Sequence, residues 1–243
     1  MIPPFTDPDL SNQVAVVTGA GAGIGRAVAR ALDARGARVW LVGRTEAKLQ
    51  ETASTMERST VYVADVADQG AMEAFAARVA AEADGVQVLV NNAAILGPVA
   101  RLAEYPREAH DDVMRINVGG TFGPTQALLG LLKAGKPATV INLSSGVGRT
   151  GRASWGAYAA SKFAVEGLTQ VWADELRGEG VAVSAVNPGG TRTAMRAAAK
   201  PDEDPQVLPT PQDVVPAFLW LLSPEARAMG VSGVSIDARD FMP

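Results

Sequence analysis

The chain contains no cysteine and only one histidine, and its charges of either sign nearly balance. Without cysteine there is no disulfide and no thiolate metal site, so redox grounds leave any compartment open. A lone histidine cannot supply the paired ligands of a zinc site. His110 stands beside Asp111 and Asp112 at a charged helix start, which reads as a surface residue and not as the relay of a hydrolase. The formal net charge is −4 with no basic run, which excludes a nucleic-acid footprint. Long hydrophobic runs are missing too. The longest apolar stretch near the C-terminus, residues 214–222, is far short of the ~20 residues a membrane span needs and is broken by Pro216. The first ten residues are Pro-rich and acidic, without the charged and apolar regions of a signal peptide. These absences lead to the expectation of a cytoplasmic protein with no membrane or nucleic-acid partner.

What is present is a regular alternation. Of 243 residues, 47% are apolar and 20% charged, the balance of a globular chain able to bury a real core. Short β-branched runs at 13–18, 38–42, 60–63, 87–90, 138–143, 181–186 and 234–236 read as seven strands. Between them, helical spacing predicts helices over 23–35, from Thr45 (as N-cap) onward, over 69–83, 107–132, 156–177 and 211–222. The strands are continuous apolar runs, as expected of parallel strands covered on both faces. The pattern argues for an α/β doubly wound parallel sheet flanked by helices on both faces. No linker divides the chain, so we expect residues 1–11 to be an N-terminal extension and 12–243 one domain. Residues 194–210, with Pro201, Pro205 and Pro209, form an insertion expected to cover the substrate.

Two constellations carry chemistry. The first is the turn from Thr18 through Gly19, Gly23, Ile24 and Gly25, between the first strand and the first helix. Glycines there let the backbone approach a pyrophosphate, and the helix N-terminus offers free N–H groups and a partial positive charge. A ligandless strand-to-helix turn is the plainer alternative. An acidic residue ending the second strand would select NAD by its ribose hydroxyl. Here Gly43-Arg44 stands instead, and Arg44 is placed to meet a 2′-phosphate, so NADP is the expected cofactor with NAD still possible. The second is Tyr158 and Lys162, four apart and so on one helix face, with Ser145 thirteen residues upstream of the tyrosine. A nearby ammonium can lower a phenol's pKa by roughly one to three units. A hydroxyl such as Ser145 could hold a carbonyl or alcohol oxygen against that phenol. Taken alone, the pair also fits the exposed face of an amphipathic helix.

Together these residues resemble the short-chain dehydrogenase/reductase family in its single-domain Rossmann form, from about residue 13 to 236. The motifs fall in order: the glycine turn, Asp65-Val66, Asn91-Asn92-Ala93-Ala94, Asn117, Ser144-Ser145, Tyr158-Ala-Ala-Ser-Lys162 and Pro188-Gly189. The stretch 151–196 looks especially like a bacterial subgroup known only as oxidoreductases. The resemblance implies a homodimer or homotetramer formed through the helices that contain Asn117 and Tyr158. It also implies roles. Tyr158 is the general acid/base, and Lys162 lowers its pKa and holds the nicotinamide ribose. Ser145 orients the substrate, and Asn117 retains a water of a proton relay. Asp65 accepts from the adenine amino group with Val66 beside it. Asn92 and Ala93 line the adenosine ribose. Thr191 and Thr193, after Pro188-Gly189, meet the carboxamide and phosphates.

The implied activity is hydride transfer between NADP(H) and a small carbonyl or secondary alcohol. A non-catalytic NADP(H)-binding redox sensor, an NAD-preferring alcohol dehydrogenase, and a dehydratase or epimerase are the alternatives. The substrate wall is expected from residues 96–102, 146–155 and 194–210, with Met195 and Val207 in a lid. Trp155 could wall the cleft or pack in the core. Arg192 and Arg196 could attract an anion. Asp174 and Glu175 read as a solvated helix face.

Overall fold

The computed structural model describes residues 5–242. Seven strands form one parallel sheet in the order β3-β2-β1-β4-β5-β6-β7. They are β1 (Val14–Thr18), β2 (Arg38–Gly43), β3 (Ser59–Val63), β4 (Val88–Asn91), β5 (Ala138–Leu143), β6 (Val181–Asn187) and β7 (Ser235–Asp237). Strands β1 and β4 are buried along their whole length, while the edge strand β3 is mostly half-buried. That difference follows from having neighbours on two sides or on one. The doubly wound sheet expected from the strand pattern is the observed fold.

Helices α1 (Gly23–Asp33), α2 (Glu46–Ala53) and α3 (Gln69–Ala80) connect the first four strands. One apolar layer packs Val28 and Leu32 of α1 with Phe218 and Leu222 of α9 (Val215–Leu222) against the sheet. The other gathers Met72 and Phe75 of α3, Leu128, Leu132 and Ala173 on the opposite face. Each large side chain so buried contributes about 1.5–3 kcal/mol. Leu10 is fully buried in the first layer, and residues 1–4 of the expected N-terminal extension lie outside the described residues.

The helix expected over 107–132 is interrupted. It divides into α4 (Arg107–Met114), a π-helical turn (Arg115–Gly119), α5 (Gly120–Ala127) and α6 (Leu129–Ala134). Gly119 and Gly120 weaken the helical preference, and Pro124 cannot donate a helical hydrogen bond. The last long helix also starts later than expected, at Val215. The amide and hydroxyl of Thr210 both bond the Asp213 carboxylate, which holds residues 210–213 in a local turn. Pro216 then falls in the first helical turn, where proline is tolerated. Thr45 occupies the N-cap position of α2, but its hydroxyl makes no capping bond. Asp68 does cap α3, accepting from the Ala71 amide at 2.9 Å. The helix α7 (Gly156–Glu175) carries Tyr158 and Lys162, α8 (Ala194–Ala199) lies in the expected insertion, and α10 (Pro224–Ala228) follows α9.

Candidate active site

The strand order reverses direction between β1 and β4, so a crevice opens at their carboxyl ends. The Thr18 hydroxyl accepts from the amides of Asn92 (3.0 Å) and Ala93 (3.1 Å), clamping the two strand ends together. The Asn92 side chain donates to the carbonyls of Thr18 (2.9 Å) and Gly19 (3.1 Å). Its amide therefore supports the glycine turn. Gly19 has φ +63°, and a Cβ there would lie 2.7 Å from Asn92 Nδ2 and 2.9 Å from Ala93 Cα, so only glycine fits.

The residues fit a dinucleotide. No side chain caps the N-terminus of α1, whose N-cap is Ala22, and no acidic residue stands in its first turn. Its amides are thus available to a pyrophosphate. A Cβ on Gly23 would meet Thr193 Cγ2 at 3.3 Å, so the bare glycine leaves a cradle between the turn and Thr193. Arg44, at the end of β2, is exposed and holds no ion pair among the described residues. Asp65 is half-buried. One of its oxygens accepts from the Ala67 amide (3.1 Å) and the other from Arg115 (3.1 Å), which together hold its carboxyl below the usual range against the opposing effect of burial. Arg115 was not singled out in the sequence, where nothing marks a partner fifty residues away. Val66 is buried against Gly120.

On the other side of the crevice, a cavity of about 90 Å³ brings together Ile24, Ser145, Tyr158, Pro188, Gly189, Thr191 and Thr193. Leu96, Leu143, Trp155, Met195 and Arg196 also line it, so each expected wall segment contributes. Trp155 lines this cleft, its ring centroid 5.8 Å from that of Tyr158. Val207 is 73% exposed and stands away from the cavity, leaving Met195 as the member of the expected lid that reaches it. Arg196 is taken up by Glu203, whereas Arg192 keeps a buried Nε with no hydrogen-bond partner among the described residues. Arg192 donates to the carbonyls of Gln206 and Leu208 (3.2 Å each), and Arg196 pairs with Glu203 at 2.5 Å. A larger cavity, about 730 Å³, opens at the opposite edge near Pro137, Arg177 and Gly233, and none of the expected site residues lines it. His110 is half-buried on α4, next to Asp111 at 3.0 Å, and Asp174 pairs with Arg177 at 2.9 Å on the surface.

Asn117 sits in the π-helical turn, fully buried behind the cavity. Its side chain accepts from the Ile95 amide (2.8 Å) and donates to the Ile95 carbonyl (2.9 Å) and Ser161 Oγ (3.0 Å). Ser161 in turn donates to the Tyr158 carbonyl at 2.7 Å. Asn117 thereby links the loop after β4 to the first turns of α7.

The expected lowering of the Tyr158 pKa by Lys162 is not what the structure gives. Burial pushes the Tyr158 phenol up to about 12, with a hydrogen bond from Ser145 pulling against it. Burial likewise pushes Lys162 down to about 8, opposed by the negative charge of Glu166. The physical reason is desolvation, which disfavours both charged forms. The Lys162 ammonium donates to the Leu143 carbonyl at 2.6 Å and lies 5.7 Å from the Tyr158 ring centroid.

A family model described as short chain dehydrogenase matches residues 13–204. The chain therefore belongs to the short-chain dehydrogenase/reductase family, enzymes that use NAD(P) to oxidise or reduce their substrates. It is 43% identical over 237 residues to the uncharacterized oxidoreductase YciK of Escherichia coli (strain K12), covering 95% of this chain and 93% of that protein. Among solved structures, it is similar to a short-chain dehydrogenase of Shigella flexneri 2a (strain 301) complexed with NADP. The TM-score is 0.92 and the identity 41%, covering 96% of this chain and all of that one. A short-chain dehydrogenase of Escherichia coli CFT073 complexed with NADPH is similar to the same degree, with TM-score 0.92, 41% identity and coverage of 96% and 99%.

Proposed function

We propose that this protein is an NADP(H)-dependent carbonyl reductase or alcohol dehydrogenase with Tyr158 as its general acid/base. The observation that carries this reading is that Ser145 and Tyr158 meet at one small cavity beside the glycine turn, with Lys162 buried one turn along α7 and its ammonium 5.7 Å from the Tyr158 ring centroid. NADP(H), when bound, supplies or accepts the hydride at its nicotinamide ring. Ser145 orients the substrate oxygen, and Tyr158 gives that oxygen a proton as the alcohol forms. A phenol pushed up to about 12 by burial holds its proton in the neutral range and so has one to give to the substrate oxygen. Lys162 brings a positive charge beneath the site, and charge placed in advance stabilises a developing anion.

Arg44 is the residue for a 2′-phosphate, and the two NADP(H) complexes of relatives support the same preference. The walls favour an uncharged apolar substrate, since Leu96, Trp155 and Met195 face the cavity while Arg196 is neutralised by Glu203. Exposed Phe122 on α5 and Phe163 and Val171 on α7 support a homodimer or homotetramer through those helices. Residues 194–210 act as the substrate loop, within one catalytic domain over residues 12–243. The test is a spectrophotometric screen of aldehydes, ketones and alcohols with NADPH and NADH, run in parallel with Tyr158→Phe. Loss of turnover in the variant with NADPH affinity nearly unchanged is the expected result. Full activity in Tyr158→Phe would overturn the assignment.

A further inference from the structure

Glu166 lies one turn beyond Lys162 on the same face of α7 and is 9% exposed. A buried carboxylate is costly unless polar and charged neighbours satisfy it, and three groups from outside α7 do so. Ser144, at the end of β5 and adjacent to Ser145, hydrogen-bonds Oε1. Ser235 of β7 donates to the same oxygen at 2.7 Å, and Arg149 Nε stands 3.5 Å from it. Arg149 is shared: its Nη1 meets both oxygens of Asp237 at 3.1 Å, and its Nη2 donates to Ser235 Oγ at 2.6 Å. Asp237 accepts from Asn187 Nδ2 at 2.5 Å, and Asn187 Oδ1 accepts from the Gly189 amide at 3.1 Å. One network therefore joins the helix of Tyr158, the serine pair after β5 and the Pro188-Gly189 turn that borders the cavity.

We propose that Glu166 is a positioning residue that acts through Lys162. Its buried carboxylate, one turn from Lys162 on the same face of α7, sets a negative charge near the ammonium that favours its protonated form. Its bond to Ser144 fixes the end of β5, where Lys162 holds the Leu143 carbonyl and Ser145 faces the cavity. The inference rests on the reading of Lys162 as part of the catalytic machinery. The groups that bear on the ammonium are Tyr158 on its own helix and Glu166, with Arg149 and Asp237 behind Glu166.

The experiment follows the Lys162 ammonium itself by NMR in lysine-labelled protein without added nucleotide. The chain has lysines only at 48, 133, 136, 162 and 200, and the Lys162 signal is assigned by its loss in Lys162→Met. Glu166→Gln is expected to lower the Lys162 midpoint by roughly one to three pH units, a tenfold or greater loss of proton affinity. Glu166→Asp, which keeps the charge, should recover most of it. Arg149→Met removes a cation that competes for Glu166 and should move the midpoint the other way, whereas a merely structural loosening would move both variants alike. An unchanged midpoint in folded Glu166→Gln overturns the proposal. If that variant does not fold, an unchanged or lowered midpoint in Arg149→Met overturns it instead. Failure of the hydride-transfer reading would show as wild-type protein without turnover, and would leave these midpoints where they are.

Discussion

Replacing Lys162 by methionine removes the one buried ammonium of the site while nearly preserving its shape. The folded protein holds this lysine at about 8, against 10.5 for an ordinary lysine. Between those two values the unfolded chain binds a proton that the folded chain has released, so stability rises with pH across that window. Below it, a gap of about 2.5 pH units corresponds to about 3 kcal/mol against folding, at about 1.4 kcal/mol per unit. From about pH 7 to about pH 9.5, the wild type should recover about 2 kcal/mol that the Lys162→Met protein cannot. Urea unfolding of both proteins across that range measures the change in their difference, and groups common to both cancel. The wild type must gain on the variant as pH rises. A difference flat to within about 0.5 kcal/mol, or one that shrinks for the wild type, would refute burial as the cause of the lysine's depressed basicity.

Three further outcomes are expected. Arg44→Asp should lower kcat/KM for NADPH by roughly tenfold to a hundredfold, the scale of one charged hydrogen bond, while NADH is spared. An unchanged cofactor ratio in steady-state assays would remove Arg44 from the 2′-phosphate. Gly148→Ala should destabilise by about 1–3 kcal/mol, because the new Cβ would sit 2.9 Å from the Lys162 backbone carbon and carbonyl oxygen. Thermal melts that superimpose on the wild type would contradict this. Asp68→Ala should cost about 1 kcal/mol in urea unfolding through loss of the α3 cap.

The sheet was legible because strands covered on both faces are mostly apolar, and the run 88–90 of β4 shows this directly. The glycine turn, Ser145 and the Tyr158–Lys162 pair were legible because their spacing is local. What escaped the sequence depends on distance or on burial. Glu166 looks like any carboxylate on a helix until β7 and the segment after β5 close over it. Arg115 meets Asp65 only when the π-helical turn and the end of β3 come together, and Glu203 reaches Arg196 only once residues 200–204 fold back on α8. The sense of the Tyr158 shift escaped for a related reason. Spacing reveals that a cation is near, but not how much water has been excluded around both groups.

The π-helical turn at Arg115–Gly119 has one more consequence. A residue added to a helical path rotates everything after it by about 100°. Thr121 and Thr125 are oriented by that rotation: Thr121 bonds the Asn117 carbonyl at 2.9 Å, and Thr125 receives Asn91 of β4 at 2.9 Å. Excising Val118 would give a more regular helix and a worse enzyme, because the two threonines would swing out of phase with the strand they meet. In this segment the irregularity serves as the alignment.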